Sequence, residues 1–265
     1  PEKHFSRGGA GVNRLRHHQQ RSPSVSDATG RNPILVAIDT PELDRARRLA
    51  EQLSGTVGGL KLGLEFFSAH GPQGIREVAG GSRDLFLDLK YHDIPNTVAG
   101  AVRAAVALRP LILNVHASGG PAMMRAAAEA VQEESERLGV RRPLLVAVTV
   151  LTSMDDDDLR DVGQLGPAAE QAVRLARLAQ DCGLDGAVCS PREIAAIRRV
   201  CGAEFRVVVP GIRPADSASG DQKRVTTPRA AIRDGADWLV IGRPITGADD
   251  PAAAARSILA EIDGA

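Results

Sequence analysis

LFLDLKYHDIPNT, residues 85–97, begins as a buried strand and abandons that pattern within a few positions. Its first part, LFLDLK (85–90), is nearly continuous in apolar residues, as a strand covered on both faces should be. Pro95 cannot continue a ladder and suits the opening turn of a helix. The segment that follows, TVAGAVRAAVAL, has helical period. The stretch therefore reads as strand, turn and helix, with Asp88, Lys90 and Asp93 gathered at the junction.

Working outward, the same unit recurs. Apolar runs ILVAID (34–39), GGLKLG (58–63) and LILNVH (111–116) flank it, and LLVAVTV (144–150), DGAVCS (185–190), RVVVPG (206–211) and DWLVIG (237–242) follow. Between them lie Ala/Arg/Leu-rich segments such as ELDRARRLAEQL, EFFSAHGPQGIREVAG, PAMMRAAAEAVQEESERLG and PAAEQAVRLARLAQDCG. Strands alternating with helices imply βαβ units and a parallel sheet. About eight units in about 230 residues predict an α/β fold, a closed (β/α)8 TIM barrel forming a single domain. A doubly wound open sheet is the runner-up, disfavoured by eight strands and by the lack of GxGxxG after the first.

The barrel is expected over residues 33–265. Residues 1–32 are polar, Arg-rich and aperiodic, without the apolar core of a secretory signal, and are expected to be a disordered or vector-derived extension. Lys+Arg and Asp+Glu balance at 33 each, so bulk charge gives no argument for nucleic acid or an anionic membrane. No apolar run approaches a bilayer span. Three cysteines without a CxxC pair fit small buried side chains in a reducing, cytoplasmic setting.

In this fold the active site forms at the C-terminal ends of the strands. Polar residues fall there repeatedly: Asp39, Lys61, Asp88 with Lys90, His116, Thr149 with Thr152, and Ser190. Asp88 and Lys90 are two apart, so a strand presents both to one face while Leu87 and Leu89 turn to the helices. A structural ion pair is the plain alternative, but Lys61 on the neighbouring strand makes a reactive cluster the better reading. Gly242 and Arg243 in VIGRP put backbone N–H groups and a guanidinium after strand eight, a usual phosphate position in this fold. The stretch PGIRPADSASGDQKRVTTP (210–228), carrying Arg213, Gln222, Lys223 and Arg224, is long enough to be a lid.

With these residues assembled, the chain resembles the orotidine 5'-monophosphate decarboxylase family, in its short bacterial form, over roughly residues 33–263. LDLKYHDIPNT carries the DxKxxD signature, and LVAIDT, GGLKLG, NVHASGG, VTVLTSM, VVVPGIRP, GDQKRVTTP and VIGRPIT all occur in family order. The resemblance implies a cofactor-independent, metal-free carbon–carbon lyase that forms UMP in the last step of de novo pyrimidine synthesis. It implies that Lys90 protonates C6, that Asp88 sits beside the substrate carboxylate, and that Lys61 bonds the ribose and steadies the charges. Asp39 would bind a ribose hydroxyl, Thr152 the pyrimidine, and Arg213, Gln222, Gly242 and Arg243 the phosphate. Asp93 and Thr97 would reach the site of a second subunit, making a homodimer.

The implied array suits the chemistry, because a fixed ammonium can stabilise charge developing at C6 and then protonate it. Two rival readings remain. A metal-dependent sugar-phosphate decarboxylase or aldolase needs a carboxylate-rich site for magnesium, where this chain has Lys61 and only Glu65 nearby. A non-catalytic phosphate-binding barrel leaves the Lys61, Asp88 and Lys90 cluster without a purpose.

Overall fold

The computed structural model describes residues 32–80, 84–164, 166–214 and 226–264. Eight parallel strands close into a barrel in sequence order: β1 (Ile34–Ala37), β2 (Gly59–Gly63), β3 (Leu85–Tyr91), β4 (Ile112–His116), β5 (Leu144–Val148), β6 (Gly186–Val188), β7 (Arg206–Pro210) and β8 (Trp238–Ile241). The seam closes where β1 pairs with β8, Leu35 opposite Val240. Seven of the strands lie within the apolar runs read from the sequence, and β3 extends one residue past its run, to Tyr91. Around them run α1 (Leu43–Gln52), α2 (Leu64–Ala79), α3 (Pro95–Val106), α4 (Gly120–Leu138), α5 (Asp156–Asp161), α6 (Ala168–Asp181), α7 (Ile194–Cys201), α8 (Pro228–Arg233), α9 (Arg243–Thr246) and α10 (Pro251–Asp263).

Alternation along the strands sorts the apolar residues into two shells. Leu35, Ala37, Phe86, Ile112, Val146, Val208, Trp238 and Val240 form one buried cluster in the barrel interior. Their neighbours Val36, Leu87, Leu113, Ala147, Val207 and Leu239 belong to a larger cluster that packs the strands against the helices. Cys182, Cys189 and Cys201 are buried free thiols, as small apolar side chains should be.

Two helical details depart from the sequence reading. EFFSAHGPQGIREVAG forms two helical segments that meet at Gly71, whose φ of +58° precedes Pro72. A left-handed residue followed by a proline cannot carry a regular helical ladder through that point. The short helix α5 was not anticipated; its signal is local, an Asp155 side chain accepting from the Asp157 and Asp158 N–H groups while Asp158 accepts from Asp155 N–H.

At the N-terminal end of the barrel, acidic residues bind adjacent strands together. Asp185 accepts from Leu145 N–H and from Arg142, and Asp237 accepts from Val207 N–H and from Arg198 and Arg206. Ionic groups at this end brace the fold, which leaves the C-terminal mouth for chemistry. No helix among the described residues is long and apolar enough to cross a membrane.

Candidate active site

The C-terminal mouth holds a cavity of about 460 Å³, within the usual range for a small-molecule site. Asp39, Lys61, Asp88, Lys90, Thr152, Arg213, Gly242 and Arg243 all line it. Six strands or the loops after them thus converge on one space, although these residues lie far apart in sequence. Apolar walls come from Val148, Val188, Ile212 and Val240.

At its centre is a chain of alternating charges. Lys61 Nζ lies 3.0 Å from Asp39 Oδ1 and 3.3 Å from Asp88 Oδ2, and Lys90 Nζ lies 2.6 Å from Asp88 Oδ1. Lys61 and Asp88 are each only 8% exposed. Burial pulls the Lys61 ammonium toward neutrality, but the charges of Asp88 and Asp39 outweigh it and the pKa stands above the usual lysine value. Burial likewise raises Asp88, yet Lys61 and Lys90 together with hydrogen bonds from Lys90 and Asn114 bring its pKa below the ordinary value. Gly63 helps make room, since a Cβ there would stand 3.2 Å from Lys61 Nζ.

The local backbone differs from the simple strand the sequence suggested. Register shifts between Leu87 and Tyr91, and Lys90 adopts a left-handed φ of +50°. A non-glycine residue in that region carries backbone strain. Leu87 and Leu89 do turn to the helices, as expected. Lys90 meets Asp88 across a bulge, however, and strict alternation does not carry it there.

The remaining strand-end residues divide. Thr149 donates to Val188 O and Ser190 caps a short 3-10 turn, so both brace the scaffold. His116 stands beside His92 with ring centroids 5.6 Å apart; burial, then His92 and Lys90, lower its pKa. Asp93 and Thr97 are exposed and do not line the cavity of their own chain. Pro95 opens α3, with Ile94 at the N-cap position and no side-chain cap. Asp93 Oδ1 accepts only from the adjacent Ile94 N–H, at 2.6 Å. Gln222, Lys223 and Arg224 lie outside the described residues, as do 1–31. The ends of the 210–228 stretch are joined where Arg213 N–H donates to Thr226 O at 3.1 Å.

Sequence reasoning missed Asn114. It is fully buried in the middle of β4, donates to Asp88 Oδ1 at 2.7 Å and accepts from Lys90 N–H at 2.7 Å. The signal was one amide inside the apolar run LILNVH, facing inward in register with Val146. Among the described residues, no three His, Cys, Asp or Glu side chains cluster as a metal site.

Comparison with known proteins converges on one family. The model of the orotidine 5'-phosphate decarboxylase / HUMPS family matches residues 32–258. An orotidine 5'-phosphate decarboxylase of Rhodospirillum rubrum is 58% identical over 234 residues, covering 88% of this chain and 95% of that protein. One from Moorella thermoacetica is 55% identical, covering 88% and 93%. Among solved structures, that of orotidine 5'-phosphate decarboxylase from Lactobacillus acidophilus superposes with a TM-score of 0.78 at 36% identity, covering 88% of this chain and 99% of the other.

The charge chain has a pH signature. In the unfolded chain Asp88 titrates near 3.9, and in the folded chain lower. Its contribution to stability is therefore present above about pH 4 and is lost as pH falls through the depressed folded value. The Tm difference between wild type and Asp88→Asn should shift toward the variant on acidification below about pH 4. A difference that stays constant from pH 7 to pH 2.5 would contradict the depressed pKa.

Proposed function

We propose a mechanism on one premise: the chain belongs to the orotidine 5'-phosphate decarboxylase / HUMPS family. Its reaction is the decarboxylation of orotidine 5'-monophosphate to UMP, a cofactor-independent lyase step of pyrimidine biosynthesis. The observation that carries this reading within the family is the position of Lys61. Its ammonium lies between Asp39 and Asp88, where a carboxylate-bound cation would otherwise sit. Two carboxylates already satisfied by a buried lysine are poor ligands for magnesium.

In this mechanism the phosphate binds at Gly242, Arg243 and Arg213, with Gln222 as a fourth contact. Asp39 and Lys61 take ribose hydroxyls, and Thr152 contacts the pyrimidine. The carboxylate of the substrate then lies beside Asp88. The bond from C6 to the carboxylate breaks, carbon dioxide leaves, and the electron pair stays on C6. Lys90 Nζ stabilises that charge and donates its proton to C6, and solvent restores the proton afterwards. Preorganised charge of this kind acts more strongly in a water-poor cavity than in water. The phosphate contacts lie away from the bond that breaks, so their binding energy serves to position the pyrimidine.

Assembly follows from the residues left over. Asp93 and Thr97 sit at the exposed start of α3 beside Ile94, an apolar side chain 67% exposed. Asp93 contributes no cap to α3, which removes its plain structural role. A two-fold homodimer in which these residues enter the partner's mouth would bury Ile94 and extend the charge array by one acid. Such a dimer belongs in the cytoplasm, with no nucleic acid or membrane partner.

Incubation of orotidine 5'-monophosphate with the protein and excess chelator should yield UMP at an undiminished rate. Turnover abolished by chelator and restored by magnesium would overturn the reading of Lys61. For the shared site, Asp93→Ala and Lys90→Ala should each be inactive, and mixing them should recover activity, because a heterodimer holds one site with both residues intact. Mixtures with confirmed subunit exchange that stay as inactive as their parents would place Asp93 in its own subunit's chemistry.

A further inference from the structure

The pairing of β3 with β4 leaves a gap at the place where the charges meet. Leu87 lies opposite Leu113 and Tyr91 opposite Val115. Between those pairs β3 has three residues, Asp88, Leu89 and Lys90, while β4 has one, Asn114. A bulge of this size takes backbone groups out of the ladder, and a buried N–H without a partner is costly. Here the Asn114 side chain replaces the missing ladder partner. Its Oδ1 accepts the Lys90 N–H, and its Nδ2 donates to Asp88 Oδ1.

The amide orientation is fixed by chemistry: only the oxygen can accept from an N–H, and only the NH₂ can face a carboxylate. Both ends are therefore committed, one to the backbone of the lysine and one to the acid that pairs with it. An apolar residue would fill this fully buried position without the desolvation penalty of an amide. What an apolar residue cannot do is hold Lys90 at φ +50°, the conformation that folds its side chain back toward Asp88.

We infer that Asn114 is the positioning residue of the reaction, setting the placement of Lys90 and the carboxylate plane of Asp88 through a single side-chain amide. This rests on the roles given above to Lys90 and Asp88. Asp88 Oδ1 is held by Lys90 and Asn114 and Oδ2 by Lys61, so without Asn114 its plane is set only by two lysines on flexible side chains, one of them displaced as well. Without the acceptor, the strained backbone at Lys90 relaxes and its ammonium moves from the reacting carbon. Asn114 is fully buried and does not line the cavity, so it stands behind the residues that a substrate there would meet. Its effect should therefore fall on the chemical step rather than on nucleotide binding.

Two variants separate this from a merely structural role. Asn114→Ala should lower kcat by about 100-fold, the scale of an ångström-level misplacement, while UMP affinity stays within about threefold. Asn114→Asp keeps the size and the acceptor but lacks the donor when ionised. The titratable groups facing it are Asp88 and Lys90 of β3, Lys61 of β2 and His116 of β4. Two carboxylates in contact raise one another's affinity for a proton, and a shared proton restores the missing donor. The kcat of Asn114→Asp, divided by that of wild type at each pH, should therefore rise from pH 8 to pH 5.5, and the same rise in a His116→Asn background excludes a shifted His116 titration as its cause. Because Asn114→Asp preserves volume, the test stands even if Asn114→Ala does not fold. A kcat within threefold of wild type overturns the inference, for Asn114→Ala at any pH or for Asn114→Asp at pH 8, where the donor is lost. So does an Asn114→Asp that is folded but shows a flat ratio, or one that loses UMP binding and Tm along with kcat at every pH. A wild type that fails to convert orotidine 5'-monophosphate would instead overturn the proposed reaction.

Discussion

A carboxylate and an ammonium are buried together at the rim of an apolar barrel, and the site is arranged to make that tolerable. Either charge alone in this place would cost several kcal/mol. Asp88 is compensated by Lys61 on one oxygen and by Lys90 and Asn114 on the other, while Lys61 also has Asp39. Each member therefore helps fix the position of the next, and removing Lys61 or Asp88 takes from the other buried charge one of its two ionic partners. The result is a set of charges held in place before a substrate arrives, which the proposed mechanism uses for electrostatic stabilisation of a short-lived carbanion.

The barrel supplies the geometry for this network. Neighbouring strands β1, β2 and β3 deliver Asp39, Lys61 and Asp88 at adjacent points on the rim, and burial against the apolar interior limits the screening of Lys61 and Asp88 by water, while Asp39 stays exposed. The bulge in β3 adds what regular strands cannot, a lysine turned back over the acid two residues before it. The segments after β7 and β8 bring Arg213, Gly242 and Arg243 to the same cavity, a cationic rim suited to a phosphate. In the proposed mechanism the phosphate and the pyrimidine occupy different parts of one cavity, so affinity for the phosphate can be used to place the pyrimidine against the lysine.

Much of this was legible in the sequence because barrel strands are read from composition: nearly every apolar run became a strand with its polar residue at the expected end. Lys61, Asp88 and Lys90 stood out since charges are rare in buried strands. Thr149 and Ser190 obeyed the same positional pattern yet serve as a strand tie and a cap, because short hydroxyl side chains at strand ends readily bond the local backbone. Asn114 went unread for the opposite reason. A single amide in LILNVH carries no charge and no motif, and its meaning depends on a register shift in another strand that only tertiary structure reveals. The break at Gly71 was written in its Gly-Pro pair, but helical period on both sides concealed it.

The central claim is that the Lys90 ammonium addresses C6 of the pyrimidine while the nucleotide is held by its phosphate. A crystal structure of the protein soaked with UMP tests it most directly. The account predicts Lys90 Nζ at roughly 3–3.5 Å from C6, the distance of a near-attack contact, with the phosphate against Gly242, Arg243 and Arg213. A nucleotide bound with its phosphate at Lys90, or with C6 turned toward Thr152 and away from the Asp88–Lys90 pair, would contradict it.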